Sequence, residues 1–282
     1  MLSFAHVVAA CLTLAQATPP SAIPTALDPQ HIAATAVDIK PKPNENLPLI
    51  AIIIDDIGYQ ARLGEAAIQL PGPYAIAVMP FAPHSQRLAS LAATSNKNVI
   101  LHLPMEAHSQ NHLLGEGALF SHMTEAQINA TLKAALASLP QAIGINNHMG
   151  SLLTSQRNSM DALMTAIAEH EKLFFVDSKT SQRSAARIAA ASKGVPAVER
   201  HVFLDNEPIR AHIRKQLSRL VVRAKQQGHA LAIGHPYPAT LTALRNWRPA
   251  TFGVKLVSLR EYVTEVQNSQ ILRAPQPLES AH

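Results

Sequence analysis

Cysteine is almost absent from this chain: Cys11 is the only one in 282 residues, and aromatic residues make up just 4%. One thiol excludes an internal disulfide framework and a cysteine-based metal cluster. Charged residues are also few, at 15%, and the formal net charge of +5 is scattered along the chain, not gathered into a block. Basic residues are not interleaved with aromatics, so the footprint of a nucleic-acid binder is missing. A basic excess of this size favours anionic surfaces or polymers only weakly. After the amino terminus no stretch reaches the roughly 18 unbroken apolar residues that a membrane-spanning helix needs. No internal repeat is visible, which argues against a solenoid. With 47% hydrophobic residues, the chain can still bury one large core.

The amino-terminal residues have a different character. Residues 7–15, VVAACLTLA, have the length of a signal-peptide apolar region, and Ala15-Gln16-Ala17 has the small-x-small form of a cleavage site. The segment before them carries His6 but no Lys or Arg. Val8-Ala9-Ala10-Cys11 has the outline of a lipoprotein box, but the apolar run ahead of it is short for one. The expectation is a signal peptide over 1–17 and an exported, periplasmic or secreted product with no cysteine. Pro19, Pro20, Pro24, Pro29, Pro41 and Pro43 then mark 18–47 as an extended linker. A single folded domain is expected over 48–262, followed by a flexible tail over 263–282 containing Pro275 and Pro277.

Between those limits apolar runs alternate with helical patterns. The runs are LIAIIIDD (49–56), YAIAVMP (74–80), NVILHLPM (98–105), AIGINNHMGS (142–151), LFFVDS (173–178), PAVERHVFLD (196–205), ALAIGHP (230–236) and VKLV (254–257). Amphipathic segments lie near 60–70, 84–95, 124–138, 155–169, 181–191, 207–227 and 238–246, and Thr124 and Gln127 have the spacing of a capping box. This alternation predicts an α/β protein with a parallel sheet. Over roughly 210 residues it favours a distorted parallel (β/α) barrel of about seven strands over two separate domains.

Polar residues recur where the runs stop. The first run ends in Asp55-Asp56, the third contains His102, and the fourth ends in Asn146-Asn147-His148 and Ser151. The fifth ends in Asp177-Ser178, the sixth passes His201 to Asp205, and the seventh ends in Gly234-His235-Pro236. In a parallel sheet all these ends open on one face, where α/β folds place their chemistry. Each residue has a plainer explanation: an Asp can cap the next helix, an Asn can shape a turn, and a His can be an ordinary loop residue. Their convergence from at least five segments is what points to a site. Two adjacent carboxylates beside an apolar strand repel each other unless a cation or a shared proton intervenes. Two His and one Asp suit Zn²⁺ with positions left open for water and substrate. A neighbouring carboxylate can then act as a base and a histidine as an acid. Among the other histidines, His84, His108, His112, His122, His170, His212 and His229 fall in helical or loop segments without such company.

The blocks IIIDDIGY, LHLPME, GINNHMGS, FFVDS, VFLDN and AIGHPYPAT, in that order, resemble the divergent polysaccharide deacetylase family of bacterial exported proteins, over about residues 48–262. The resemblance implies a deacetylase-like barrel that removes acetyl groups from an envelope glycan with the help of a divalent metal, expected to be Zn²⁺. It implies Asp55 as the base, Asp56 and His102 as metal ligands and His235 as the acid. In ordinary deacetylases a second metal-binding histidine stands four positions after the first; here that position is Glu106. His148, from the neighbouring strand end, is the expected replacement, with Glu106 itself as the alternative. Asp177 is expected to orient His235 or the metal site, and Asn147 and Ser151 are candidate substrate contacts. The expected partner is an acylated, peptidoglycan-like carbohydrate, with cell-wall proteins as a further possibility. Two other readings are a barrel that binds glycan or a cell-wall enzyme without catalysis, and a metal-free glycosidase using carboxylates such as Asp55 and Asp177.

Overall fold

The computed structural model describes the backbone of residues 47–273 and side chains through residue 269. The expected signal peptide and nearly all of the expected linker lie outside the described residues. The strands are β1 (Leu49–Ile57), β2 (Ala75–Val78), β3 (Val99–Met105), β4 (Ala142–Met149), β5 (Phe175–Asp177), β6 (Ala197–Glu199), β7 (Val202–Phe203), β8 (His229–Gly234) and β9 (Lys255–Leu256). The helices are α1 (Ala61–Ile68), α2 (Ser85–Thr94), α3 (Glu125–Ser138), α4 (Arg157–Ala168), α5 (Ala186–Ser192), α6 (Arg210–Gln227), α7 (Pro238–Asn246) and α8 (Leu259–Arg273).

All strand pairs are parallel, in the order β6-β5-β4-β3-β2-β1-β8-β7, with the short β9 beside the start of β1. The two edge strands are consecutive in sequence. Arg200 N donates to Asp177 O on β5, and His201 N donates to Leu231 O on β8. One extended segment therefore joins both edges of the sheet and curls it into the expected distorted barrel. Parallel strands need crossovers, and the helices supply them by covering the outer face. The amino-terminal end of α3 is set locally: Thr124 Oγ1 accepts from Gln127 N while Gln127 Oε1 accepts from Thr124 N, the reciprocal cap anticipated from the sequence.

Side chains alternate between two cores. Ile50, Ile52 and Ile54 face outward under the helices, whereas Ala51 and Ile53 face the barrel interior with Ala75, Ala77, Ile100, Val176, Leu231 and Ile233. Several interior positions are alanine because inward-facing side chains of a small barrel must share a narrow space. The amino-terminal end of the barrel is closed by α8, whose Leu259, Tyr262, Val263 and Val266 join the interior core. This corrects the expected tail: residues 263–273 are helical, and the side chains on one face plug the barrel. Each fully buried Ile or Tyr of this kind contributes roughly 1.5–3 kcal/mol.

Candidate metal centre and active site

The inward parity of β1 runs Ala51, Ile53, Asp55, so Asp55 faces the barrel mouth by simple alternation. Asp56 would face away with Ile52 and Ile54. A register shift between Ile54 and Ile57 and a left-handed backbone at Asp56 (φ 60°) turn its carboxylate back to the same side. Both members of the pair therefore reach one site. A second shift lies in β4, where Val99 pairs with Ala142 but Leu101 pairs with Ile145. The extra residue moves the inward parity from Ile143 to Asn146 and His148. Gly144 lies in that bulge against the Phe174 ring, where a Cβ would collide with the ring carbons.

Three ligand atoms converge. His102 Nε2 and His148 Nδ1 each lie 3.1 Å from Asp56 Oδ1, and the two nitrogens are 3.3 Å apart. Donor atoms at about 2.0–2.2 Å from one metal are separated by about 2.8–3.1 Å in octahedral and about 3.3–3.6 Å in tetrahedral arrangements. The triangle matches that spacing, so these three residues fit a divalent cation. Asn146 Oδ1 accepts from His102 Nδ1 at 2.8 Å, which leaves the Nε2 lone pair directed at the site. The Asn146 amide nitrogen donates to Asp55 Oδ1 at 2.9 Å and also meets Ser178 Oγ at 3.3 Å. One buried amide thus fixes a candidate ligand and the neighbouring carboxylate together.

The two carboxylates differ in environment. Burial pushes the Asp55 carboxyl above the usual carboxylate range, although His102 and His235 pull the other way. Burial also opposes ionisation of Asp56, but the combined hydrogen bonds and charge of His102 and His148 hold it well below that range. His235 stands across the site with Nε2 3.8 Å from Asp56 Oδ2. Its Nδ1 donates to Asp205 Oδ1 at 2.9 Å, and its backbone N and Thr240 Oγ1 both donate to Asp205 Oδ2. Burial of His235 favours the neutral ring, but the Asp205 hydrogen bond and the charges of Asp55, Asp56 and Asp205 outweigh it and raise its pKa to about 9. Two lobes of a cleft meet here. One, of about 440 Å³, runs toward Tyr59 and Tyr237; the other, of about 410 Å³, runs toward Lys179 and Arg200; His148, Met149 and His235 line both.

Residues 52–263 match the divergent polysaccharide deacetylase family. An uncharacterized protein of Escherichia coli, YibQ, is 36% identical over 227 residues, covering 80% of this chain and 68% of that protein. The chain belongs to the divergent polysaccharide deacetylase family. An uncharacterized protein of Haemophilus influenzae is also 36% identical, over 70% of this chain and 69% of its own length. Among solved structures, an uncharacterized protein of Agrobacterium tumefaciens superposes with a TM-score of 0.74 at 20% identity, covering 78% of this chain and 91% of that one, a likeness of fold.

Within this deacetylase-family barrel Asp55, Asp56, His102, His148 and His235 come together. Two other expectations, for Glu106 and Asp177, need correction, and the two candidate substrate contacts, Asn147 and Ser151, are located by their hydrogen bonds. Glu106 is not a ligand: its carboxylate accepts from Ser121 N and Ser121 Oγ, away from the three converging atoms. Asp177 does not orient His235; it falls on the outward parity of β5 with Phe175 and accepts from Lys179 N at 2.8 Å. The residue that holds His235 is Asp205, which the sequence marked only as a strand end. Asn147 lines the cleft, but its polar atoms are engaged, with Oδ1 accepting from Ser178 N and Nδ2 donating to Met149 O. Ser151 Oγ accepts from His108 N and braces a loop.

Proposed function

We propose that this protein is a metal-dependent carbohydrate deacetylase that removes acetyl groups from an acylated, peptidoglycan-like glycan. The observation that carries the reading is the convergence of Asp56, His102 and His148, with Asp55 on one side and His235 on the other. Zn²⁺ suits two imidazoles and one carboxylate, and when bound it supplies Lewis acidity that makes water a nucleophile near neutral pH and polarises an acyl carbonyl. Asp55 is the base. Its Oδ2 lies 3.6 Å from His102 Nε2, close enough to serve the same small volume, and its raised proton affinity suits accepting a proton from water. His235, protonated and held by Asp205, donates a proton to the departing amine or alcohol. The convergence of His148 on Asp56 and His102 supports it as the replacement for the second motif histidine, and with it catalysis over a barrel that only binds glycan. Asp177 faces away from the cleft lobe lined by Asp55, so the two-carboxylate glycosidase reading gains no support either.

The reading includes action outside the cytoplasm, supported by the apolar run at 7–15 and Ala15-Gln16-Ala17; cell fractionation with and without residues 1–17 checks it. For the chemistry, metal content is measured on protein purified without chelator, alongside acetate release from acetylated chito-oligosaccharides and peptidoglycan. Near-stoichiometric metal that is lost in His148→Ala, with acetate release lost in Asp55→Asn, is expected. A wild type that carries no metal under these conditions, matched by His148→Ala, would sink the proposal.

A further inference from the structure

The cleft lobe on the Tyr59 side has an unusual lining for a chain so poor in aromatics. Tyr59, at the end of the β1 loop, and Tyr237, at the start of α7, are 49% and 42% exposed, and both line this lobe with Leu113. Gln60 and Gln110 lie beside them and bring amide donors and acceptors. Beyond Asp56, His148 and His235 of the candidate metal site, no charged side chain among the described residues lines the lobe. The opposite lobe contrasts with it, since Lys179 and Arg200 line that wall.

The wall is built in advance. Asn111 Oδ1 accepts from Ala107 N and Asn111 Nδ2 donates to Ala107 O, which ties the loop at its base. Gly115 sits against the Tyr59 hydroxyl so closely that any Cβ there would collide with it, and its φ of 78° suits glycine. The tip of the Tyr59 side chain is thereby held beside the Gly115 main chain, while its half-exposed ring borders the cleft. The Tyr237 ring is 5.6 Å from the His235 ring at a tilt of 35°, so the rim continues directly from the candidate acid. Flat amphipathic rings flanked by side-chain amides, with no net charge, match the apolar faces and equatorial hydroxyls of neutral pyranose rings. Preformed walls limit the entropy lost when such a ligand is ordered.

We propose that Tyr59 and Tyr237 form a sugar-stacking subsite on this side of the metal centre, so that the protein recognises a chain of linked neutral pyranoses and discriminates against a single acylated sugar. The proposal rests on the carbohydrate reading above but not on turnover. It is tested with the full chain and β-1,4-linked N-acetylglucosamine from monomer to hexamer. Binding is measured calorimetrically on chelator-treated protein, and acetate release on the same protein with added Zn²⁺. Affinity is expected to rise about tenfold or more from monomer to trimer. Tyr59→Ala and Tyr237→Ala are each expected to weaken hexamer binding about tenfold, with Zn²⁺ affinity and circular dichroism unchanged. Tyr59→Phe and Tyr237→Phe, which keep the rings, are expected to bind within about twofold of wild type. If acetate release is absent while binding still depends on chain length and on both rings, the deacetylase reading fails and the subsite stands. If the alanine variants bind hexamer as wild type does, if the monomer binds as well as the hexamer, or if wild type binds no member of the series, the subsite is overturned. In those cases acetate release reports separately on the deacetylase reading.

Discussion

Replacing Asn146 with alanine probes how the site is held together, because this side chain touches no metal yet reaches both a candidate ligand and the candidate base. It is fully buried, with His102 Nδ1 at 2.8 Å on its oxygen and Asp55 Oδ1 at 2.9 Å on its nitrogen. Asn146→Ala leaves a buried ring N–H without its acceptor and removes a donor from a buried carboxylate. Each loss costs about 1–3 kcal/mol, so the metal-free protein should lose roughly 2–6 kcal/mol. Freed of its partner, the His102 ring can rotate or change tautomer, and loss of an orienting partner lowers metal affinity by about 10- to 100-fold. The two effects separate in a paired unfolding experiment. At Zn²⁺ set to about 100 times the wild-type Kd, metal stabilises the wild type by about 2.7 kcal/mol. In the variant the same Zn²⁺ should contribute between about 1.4 and about 0.4 kcal/mol. Competition with a chromophoric chelator gives the affinity directly. A variant that binds Zn²⁺ as tightly as wild type, whatever its stability, would refute the claim that this amide aims His102 at a metal.

Three further outcomes follow from the same geometry. Asp205→Asn removes a hydrogen bond and a charge that raise the His235 pKa to about 9, so that pKa should fall; activity that needs protonated His235 should decline above about pH 9 in wild type and at lower pH in the variant, with kcat down at least tenfold, and an unmoved alkaline limb would contradict the assigned acid. His201 titrates near 4, not 6.5, because burial, His229 and Arg223 disfavour its charged form, and its Nδ1 accepts from Leu231 N. The unfolded chain takes up this proton first, so stability should fall as pH drops from about 6.5 to about 4 and level off below, a slope that His201→Asn should flatten in chemical denaturation across that range. Tyr262→Ala removes a fully buried ring of α8 from the barrel interior and should cost about 3–5 kcal/mol; a change under 1 kcal/mol would mean that α8 is not the plug described above.

The barrel was legible from the sequence because its strands are short apolar runs separated by amphipathic helices, and all seven expected helices formed, the one expected near 181–191 starting only at Ala186. The eighth was missed. Residues 259–273 bury one face against the open end of the barrel, and a polar sequence with a few apolar positions gives little hint of that. The polar strand ends were legible as a group, since parallel topology brings Asp55, Asp56, His102, His148 and His235 to one mouth. Which neighbour faces inward was not, because that depends on parity, and parity changes at bulges no local pattern announces. Counted by alternation from the interior Ile143, Asn147 is the inward residue of β4; the shift between Ala142 and Ile145 makes it Asn146 instead. The same counting places Asp177 outward behind Val176 and leaves Asp205, inward beside Phe203, to hold His235. At Asp56 the irregularity acts the other way: alternation alone would turn it from Asp55, and the left-handed residue at φ 60° returns it. Both deviations from regular strand geometry therefore serve one end, since without them neither Asp56 nor His148 would meet His102. Backbone irregularity of this kind has an energetic cost, of order 1–3 kcal/mol per residue held in a sparsely populated conformation. One irregularity falls at Asp56 and the other lies in β4 just upstream of His148, which ties the distortion of this barrel to its candidate metal centre.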